Sequence, residues 1–252
     1  MIGIGSPAFC MTPFMKMLED ISRHFGLWEI LSEGEDRLEL VGDGIRHGRD
    51  SYGMRFQVHA PLSDVNIGSV YEPMRLAALN EVQQTIAWCH KLEIPLVTVH
   101  PGFVQGIAFL DRRKALEKTK ESVKVLSEFS KRQSVEIVVE NLPANINATC
   151  VTADDLLKVL EGSDLRICFD MGHANTSGQI DRFLELVGRF GNVHLHNNEG
   201  QWDQHNQIDV GSADFRKVVS ALKRSYSGNI IIEATDLADG VKSQETLARL
   251  LG

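Results

Sequence analysis

The chain has little cysteine, and what it has shows no pattern. Cys10, Cys89, Cys150 and Cys168 form no CxxC pair. Neither a disulfide framework nor a cysteine zinc site is expected, and all four read as small buried apolar side chains in a reducing compartment. Basic excess is also absent. Lys and Arg total 26 against 34 Asp and Glu, a formal net charge of -8. A broad nucleic-acid surface carries a basic footprint, so the balance argues against one while leaving room for a small basic cleft. No window approaches the roughly 18 consecutive apolar residues of a membrane span. The opening MIGIGSPAFC has no basic n-region and no long apolar core, unlike a secretory signal. A cytoplasmic protein with no membrane partner is expected. Linkers, low-complexity tracts and charged tails are missing as well. What remains is 252 residues, 43% hydrophobic and 24% charged, a length that suits one barrel or two small domains.

Strand-like and helix-like segments alternate along the chain. Strands are expected near 2–5, 27–31, 55–60, 94–100, 135–140, 165–170, 192–197 and 229–234. The first helix is expected from Thr12, with Thr12 as N-cap and Pro13 at the first helical position. A second, near 35–47, is interrupted by Gly42 and Gly44. A long third covers 70–92, where Leu76, Leu79, Val82 and Ile86 recur at helical spacing. Others are expected over 111–132, from the capping-box pattern at Thr152, and over 179–189, 212–225 and 242–251. Most strands look apolar on both faces, as in a sheet covered by helices on one side and filled on the other. Eight strand–helix units make an α/β fold, a single (β/α)8 TIM barrel spanning 1–252. An open doubly wound sheet shares the alternation but would not bring many strand ends to one point.

That convergence matters because of what ends the strands. His59, His100, Glu140, Asp170, His194 and Glu233 close the runs FQVHA, PLVTVH, EIVVEN, RICFD, NVHLH and NIIIEA. A single strand-end His is commonly a hydrogen-bonded rim residue, and Asp170 is also a natural N-cap. Glu140 and Glu233 weigh more, because a carboxylate after an apolar run must be paired or metal-bound. Asp170 and His173 stand three residues apart. His194 and His196 alternate with Val193 and Leu195, so both face one side, and one ligand with a supporting partner is expected. Asp203 and His205 add an Asp/His pair in the next loop. Mixed imidazole and carboxylate donors suit zinc, manganese or iron better than calcium.

The motifs VHAP, VTVHPG, VVENLP, CFDMGHAN, VHLHNNEG, DQH and IIIEATD, in that order, resemble the xylose isomerase-like TIM barrels. This superfamily, also called AP endonuclease family 2, includes endonuclease IV and many sugar and sugar-phosphate isomerases and epimerases. The resemblance runs from the first strand to Glu233. It implies up to three zinc ions on His59, His100, Glu140, Asp170, His173, His194, Asp203, His205 and Glu233, the alignment admitting His196 in place of His194. Three features depart from endonuclease IV. Asn197 stands where that enzyme has an acid, NQIDVGSADF lacks its Gly-Glu-Gly, and HAPLSDVNIGS carries no aromatic wedge.

Two chemistries follow from the resemblance. The main expectation is a zinc-dependent phosphoesterase, in which a metal-bound hydroxide attacks a phosphodiester. The alternative is a sugar or sugar-phosphate isomerase or epimerase on one divalent metal, zinc or manganese, with catalytic Glu140 and Glu233 moving a proton. His196, Asn141 and Asn197, beside the ligand positions, are assigned to substrate. The partner is then a small phosphorylated or sugar substrate, or damaged DNA. A barrel that only binds is a third reading, against which the intact ligand set speaks. Nothing in the sequence sets an oligomeric state.

Overall fold

In the computed structural model, which describes residues 1–251, eight parallel strands close into a barrel in chain order. They are β1 (Ile2–Gly5), β2 (Leu27–Leu31), β3 (Arg55–His59), β4 (Leu96–Val99), β5 (Glu136–Glu140), β6 (Arg166–Asp170), β7 (Phe190–Leu195) and β8 (Asn229–Glu233). The helices around them are α1 (Phe14–Ser22), α2 (Leu38–Tyr52), α3 (Glu72–Lys91), α4 (Arg113–Gln133), α5 (Ala153–Leu160), α6 (Met171–Thr176), α7 (Ile180–Leu184), α8 (Phe215–Ser225) and α9 (Leu237–Leu251). The expected (β/α)8 barrel is the observed fold. No helix among the described residues is long and apolar enough to cross a membrane.

Strand periodicity divides the side chains between two cores. Trp28, Ile30, Phe56, Val58, Val97, Val99, Ile137 and Val139 point outward into the layer shared with the helices. Trp28 stacks on Phe14 at 4.9 Å between ring centroids, and Phe169 stacks on Phe190 at the same distance. Every second residue points into the barrel. There Leu96, Val138 and Cys168 form a small apolar cluster of their own. At β1 that interior leaves no room for a side chain, because a Cβ on Gly3 would come within 2.7 Å of Leu27 and 2.9 Å of Ile231.

The interior is less apolar than the strand sequences suggest. Glu29, Gln57, Thr98 and Asn192 are all buried, at positions where branched aliphatic side chains usually fill a barrel. Helix boundaries also differ. α1 begins at Phe14 with Pro13 as N-cap and no side-chain cap bond, so Thr12 does not cap it. α2 runs from Leu38 to Tyr52, because Gly44 and Gly48 allow Phe14, Leu18 and Phe56 to pack closely against it instead of breaking it. Leu79, Val82 and Ile86 of α3 are buried, but Leu76 faces out. Thr152 caps α5 as expected, its hydroxyl accepting from the Asp155 amide at 3.2 Å. The four cysteines are buried.

Candidate metal centre

Register brings the strand-end residues together. His59 pairs with Thr98, Gly5 with Glu233, and Asp170 with His194 across their ladders. At the carboxyl ends of β5 to β8 the inward residues are Glu140, Asp170, His194 and Glu233. Their candidate ligand atoms all lie within 4.8 Å of one another. His194 Nδ1 stands 2.9 Å from Glu140 Oε1, 3.0 Å from Glu233 Oε1 and 3.8 Å from Asp170 Oδ2.

A second group shares Glu140. His59 Nε2 and His100 Nε2 each lie 3.1 Å from Glu140 Oε2. The two imidazoles compete for one carboxylate oxygen, and their proton affinities part. Burial would depress His59, but the Glu140 carboxylate raises it to about 9. At His100 burial wins over the same carboxylate, and its affinity falls. His59 Nδ1 faces the Ala60 carbonyl at 2.8 Å and His173 Nδ1 the Asn141 carbonyl at 2.8 Å, which leaves each Nε2 turned toward the site.

The third group comprises His173, His196, Asp203 and His205. Asp203 Oδ2 lies 3.1 Å from both His173 Nε2 and His205 Nε2. Two members arrive through the loop after β7. Asn197 and Asn206 exchange backbone hydrogen bonds of 3.0 and 2.9 Å, so the intervening loop returns to the barrel mouth. His205 adopts φ +51°, a left-handed conformation uncommon for histidine and frequent at functional sites.

His196 was expected to touch substrate. It is instead fully buried within this group, stacked on His205 at 4.1 Å, with Nε2 3.1 Å from Asp170 Oδ1. Its ring fits only because residue 172 is glycine. A Cβ there would stand 1.9 Å from His196 Cε1. Gly172→Ala should therefore lower stability by about 3 kcal/mol or displace the ring, which thermal denaturation and a crystal structure of the variant would read. Asn141 and Asn197 are also buried away from the cavity. The Asn141 amide brackets the Asp170 backbone with two 2.9 Å bonds. Asn197 holds the backbone of Asn198, Ile208 and Ala213. Both shape the loops instead of lining the site.

The arrangement suits a cation. Three carboxylates converge on one imidazole in a buried space, an unfavourable array without positive charge. Burial alone would raise the Glu140 carboxyl, yet His194, His100 and His59 hold it well below the usual carboxylate range. Glu233 is likewise held low against burial by His194 and His205. Burial would depress His194, but the carboxylates of Glu29, Glu233 and Glu140 around it keep it well above an ordinary imidazole. Asp170 Oδ1 caps α6 by accepting from the His173 amide at 2.6 Å, while its buried Oδ2 has no hydrogen-bond partner. Such an orphaned carboxylate oxygen beside Glu140, His194 and Glu233 fits a bound divalent ion. Cys168 lies near His194 too, but burial raises its thiol well above the usual value, so it stays protonated and is a poor ligand.

Above these groups opens a cavity walled by Ser6, Pro7, Leu31 and Leu62 and floored by His59, His100, Glu140, His173, Asp203, His205 and Glu233. No lysine or arginine lines it.

The comparisons with known proteins agree with this fold. A model of the xylose isomerase-like TIM barrel family matches residues 32–250. The chain belongs to that family. It is 31% identical over 259 residues to the uncharacterized protein MJ1311 of Methanocaldococcus jannaschii, covering 99% of this chain and 88% of that one. The family fold recurs in the crystal structure of a D-tagatose 3-epimerase-like protein, with 30% identity, a TM-score of 0.92 and coverage of 99% and 96%. The apo 3-keto-D-glucoside 4-epimerase YcjR from E. coli shares the fold at 18% identity and a TM-score of 0.78, each chain covered to 98%. Endonuclease-like hydrolysis, the main expectation from motif order, finds no support in these structures.

One residue at the site is not evident from the motifs. Glu29 sits among the site residues at the cavity floor. Its signal was available as the lone charge in the apolar strand LWEIL.

Proposed function

We propose that this chain is a metal-dependent epimerase or isomerase of a neutral sugar. The observation that carries the reading is the convergence of Glu140 and Glu233 with Asp170 on His194 Nδ1. Glu140, Asp170, His194 and Glu233 would hold the metal. When bound it would polarise the substrate's carbonyl and adjacent hydroxyl, acidifying the hydrogen on the carbon between them. Glu140 and Glu233 approach from different strands and both stay ionised, so either can accept that proton. One would take that proton from one face of the carbon, the other would draw a proton from water and deliver it to the opposite face, and the first would then release its proton to water. The epimer forms, both carboxylates end ionised as they began, and no redox partner is needed. The absence of lysine and arginine from the cavity wall favours a free sugar over a sugar phosphate. The sugar epimerases among the similar structures support the same direction.

A second reading keeps a specific observation in its favour. The flanking groups His59–His100–Glu140 and His173–His196–Asp203–His205 also have metal-ligand spacing. With them filled, the site would resemble a multinuclear phosphoesterase, for which zinc would be the natural metal.

One experiment separates the two. Manganese- or zinc-loaded protein would be incubated in deuterated water with a panel of free ketoses, and deuterium at the carbon beside the carbonyl followed by NMR. Epimer formation with exchange at that carbon is the expected result. No exchange with any sugar, together with hydrolysis of bis(p-nitrophenyl) phosphate, would overturn it in favour of the phosphoesterase.

A further inference from the structure

Glu29 lies mid-strand in β2, one layer beneath the candidate ligands, and is 3% exposed. Its two oxygens have different partners. Oε2 accepts from the Gln57 amide, from Thr98 Oγ1 at 3.2 Å and from Asn192 Nδ2 at 2.9 Å. Gln57 is itself oriented by Asn229 Nδ2 at 2.8 Å. Side chains from β3, β4, β7 and β8 thus fix this carboxylate. Oε1 is left for one group, His194 Nε2, at 2.8 Å.

These contacts determine which nitrogen of His194 carries the proton. Asn192 Nδ2 is 3.1 Å from His194 Nε2, but its two hydrogens already point to Glu29 Oε2 and, at 3.1 Å, to Thr98 Oγ1. Rotating that amide would set its oxygen against Glu29 Oε2. Nε2 is therefore the nitrogen left to carry the hydrogen, with Glu29 Oε1 the carboxylate oxygen 2.8 Å from it. In the metal-loaded protein Nδ1 must then present its lone pair to the space bounded by Glu140, Asp170 and Glu233.

We propose that Glu29 is a positioning residue that fixes the tautomer and ring orientation of His194 and so sets the affinity of the metal centre. It touches the metal only through His194. A purely structural carboxylate would be an odd choice in a layer normally filled by aliphatic side chains, since it adds a fourth anion beneath three others. A donor-holding carboxylate behind a ligating imidazole explains it, because such a partner raises ligand basicity and locks the ring.

The proposal rests on the metal-centre reading above, and its test keeps the two apart. Mn²⁺ affinity would be measured by calorimetry and by EPR of free ion on wild type, Glu29→Gln, Glu29→Asp, His194→Ala and the Glu29→Gln/His194→Ala double variant, with thermal denaturation of the metal-free forms as a fold control. Glu29→Gln should weaken binding roughly 10- to 100-fold. Glu29→Asp should recover part of the loss, and the double variant should be no weaker than His194→Ala alone. In Zn²⁺-loaded wild type, two-bond ¹H–¹⁵N spectra should show His194 protonated at Nε2. A folded Glu29→Gln with unchanged affinity, an equal loss in the His194→Ala background, or a His194 protonated at Nδ1 would each overturn the positioning role while leaving the metal centre standing. Wild type that binds neither ion would overturn the metal reading and this inference with it.

Discussion

Glu140→Gln should reduce turnover by at least three orders of magnitude while leaving the barrel folded. Three separate functions are lost with one charge. The carboxylate is the only acid contacted by both flanking imidazoles, each at 3.1 Å, and by His194 at 2.9 Å. It is one of the two proton carriers in the proposed reaction, and general base catalysis alone contributes about 10²- to 10⁴-fold. It is also a candidate metal donor, and an amide oxygen is weaker in that role. Side-chain shape is kept, so circular dichroism and a crystal structure should match wild type. Glu233→Gln should be nearly as slow, but the two variants should differ in isotope exchange. Each would keep one carrier and would wash deuterium into only one of the two epimeric substrates. Wild-type rates in Glu140→Gln would remove both the metal and the proton-transfer roles.

Stripping the metal should abolish activity, with at least a thousandfold loss, and adding back one divalent ion should restore it. The metal-free protein should behave distinctively with pH. His59 and His205 have proton affinities raised to about 9, His59 by Glu140 and His205 by Asp203 and Glu233, in both cases against burial. A raised imidazole stabilises the fold fully below its unfolded value near 6.5, and that stabilisation is lost as pH climbs through about 9. Glu140, Asp203 and Glu233 are depressed, each held low by neighbouring histidines despite burial. Their contribution is present above the unfolded carboxylate values near 4 and fades as pH falls below them. Metal-free protein should therefore be most stable between about pH 4.5 and 6.5, with Tm falling toward pH 9. Metal takes the place of those protons, so loaded protein should keep its Tm through the alkaline range. Binding at pH 7 should release protons, seen as a dependence of the calorimetric enthalpy on buffer ionisation. A flat Tm profile for the metal-free form would contradict this account of the site.

The strand-end residues were legible because strands impose a period of two. His59, Glu140, Asp170, His194 and Glu233 each stand one residue beyond an outward-facing aliphatic or aromatic side chain, so the inward direction follows from the pattern alone. The same rule could have corrected Asn141, which follows Glu140 and so must turn away from it. Asn197 and His196 needed three dimensions. Whether an amide faces substrate or brackets a backbone is decided by loop packing, and whether an imidazole at the right parity is reachable is decided by what covers it. Glu29 was missed for a different reason. A charge in mid-strand looks like a blemish in an apolar run until its register beside Gln57 and below His194 is known. The interruption expected in α2 failed because a helix glycine is unfavourable only in isolation, and here it admits neighbouring rings.

The return loop between Asn197 and Asn206 has a consequence for how such sites change over time. Glu140, Asp170, His194 and Glu233 belong to the strands themselves, or to the residues that end them. Asp203 and His205 instead arrive on an insert clasped at its base by two backbone hydrogen bonds. An insert that enters and leaves through one such clasp, with Asn198 further tied to Gly172 and Asn175, can be lengthened, shortened or exchanged without disturbing the barrel's ladder. The Asp203–His205 half of the third donor group is thus a detachable cassette, while His173 and His196 stay with a permanent socket. One lineage of barrels could gain or lose it by a single local event, and an engineer could transplant residues 198–205 as a unit between members of the fold.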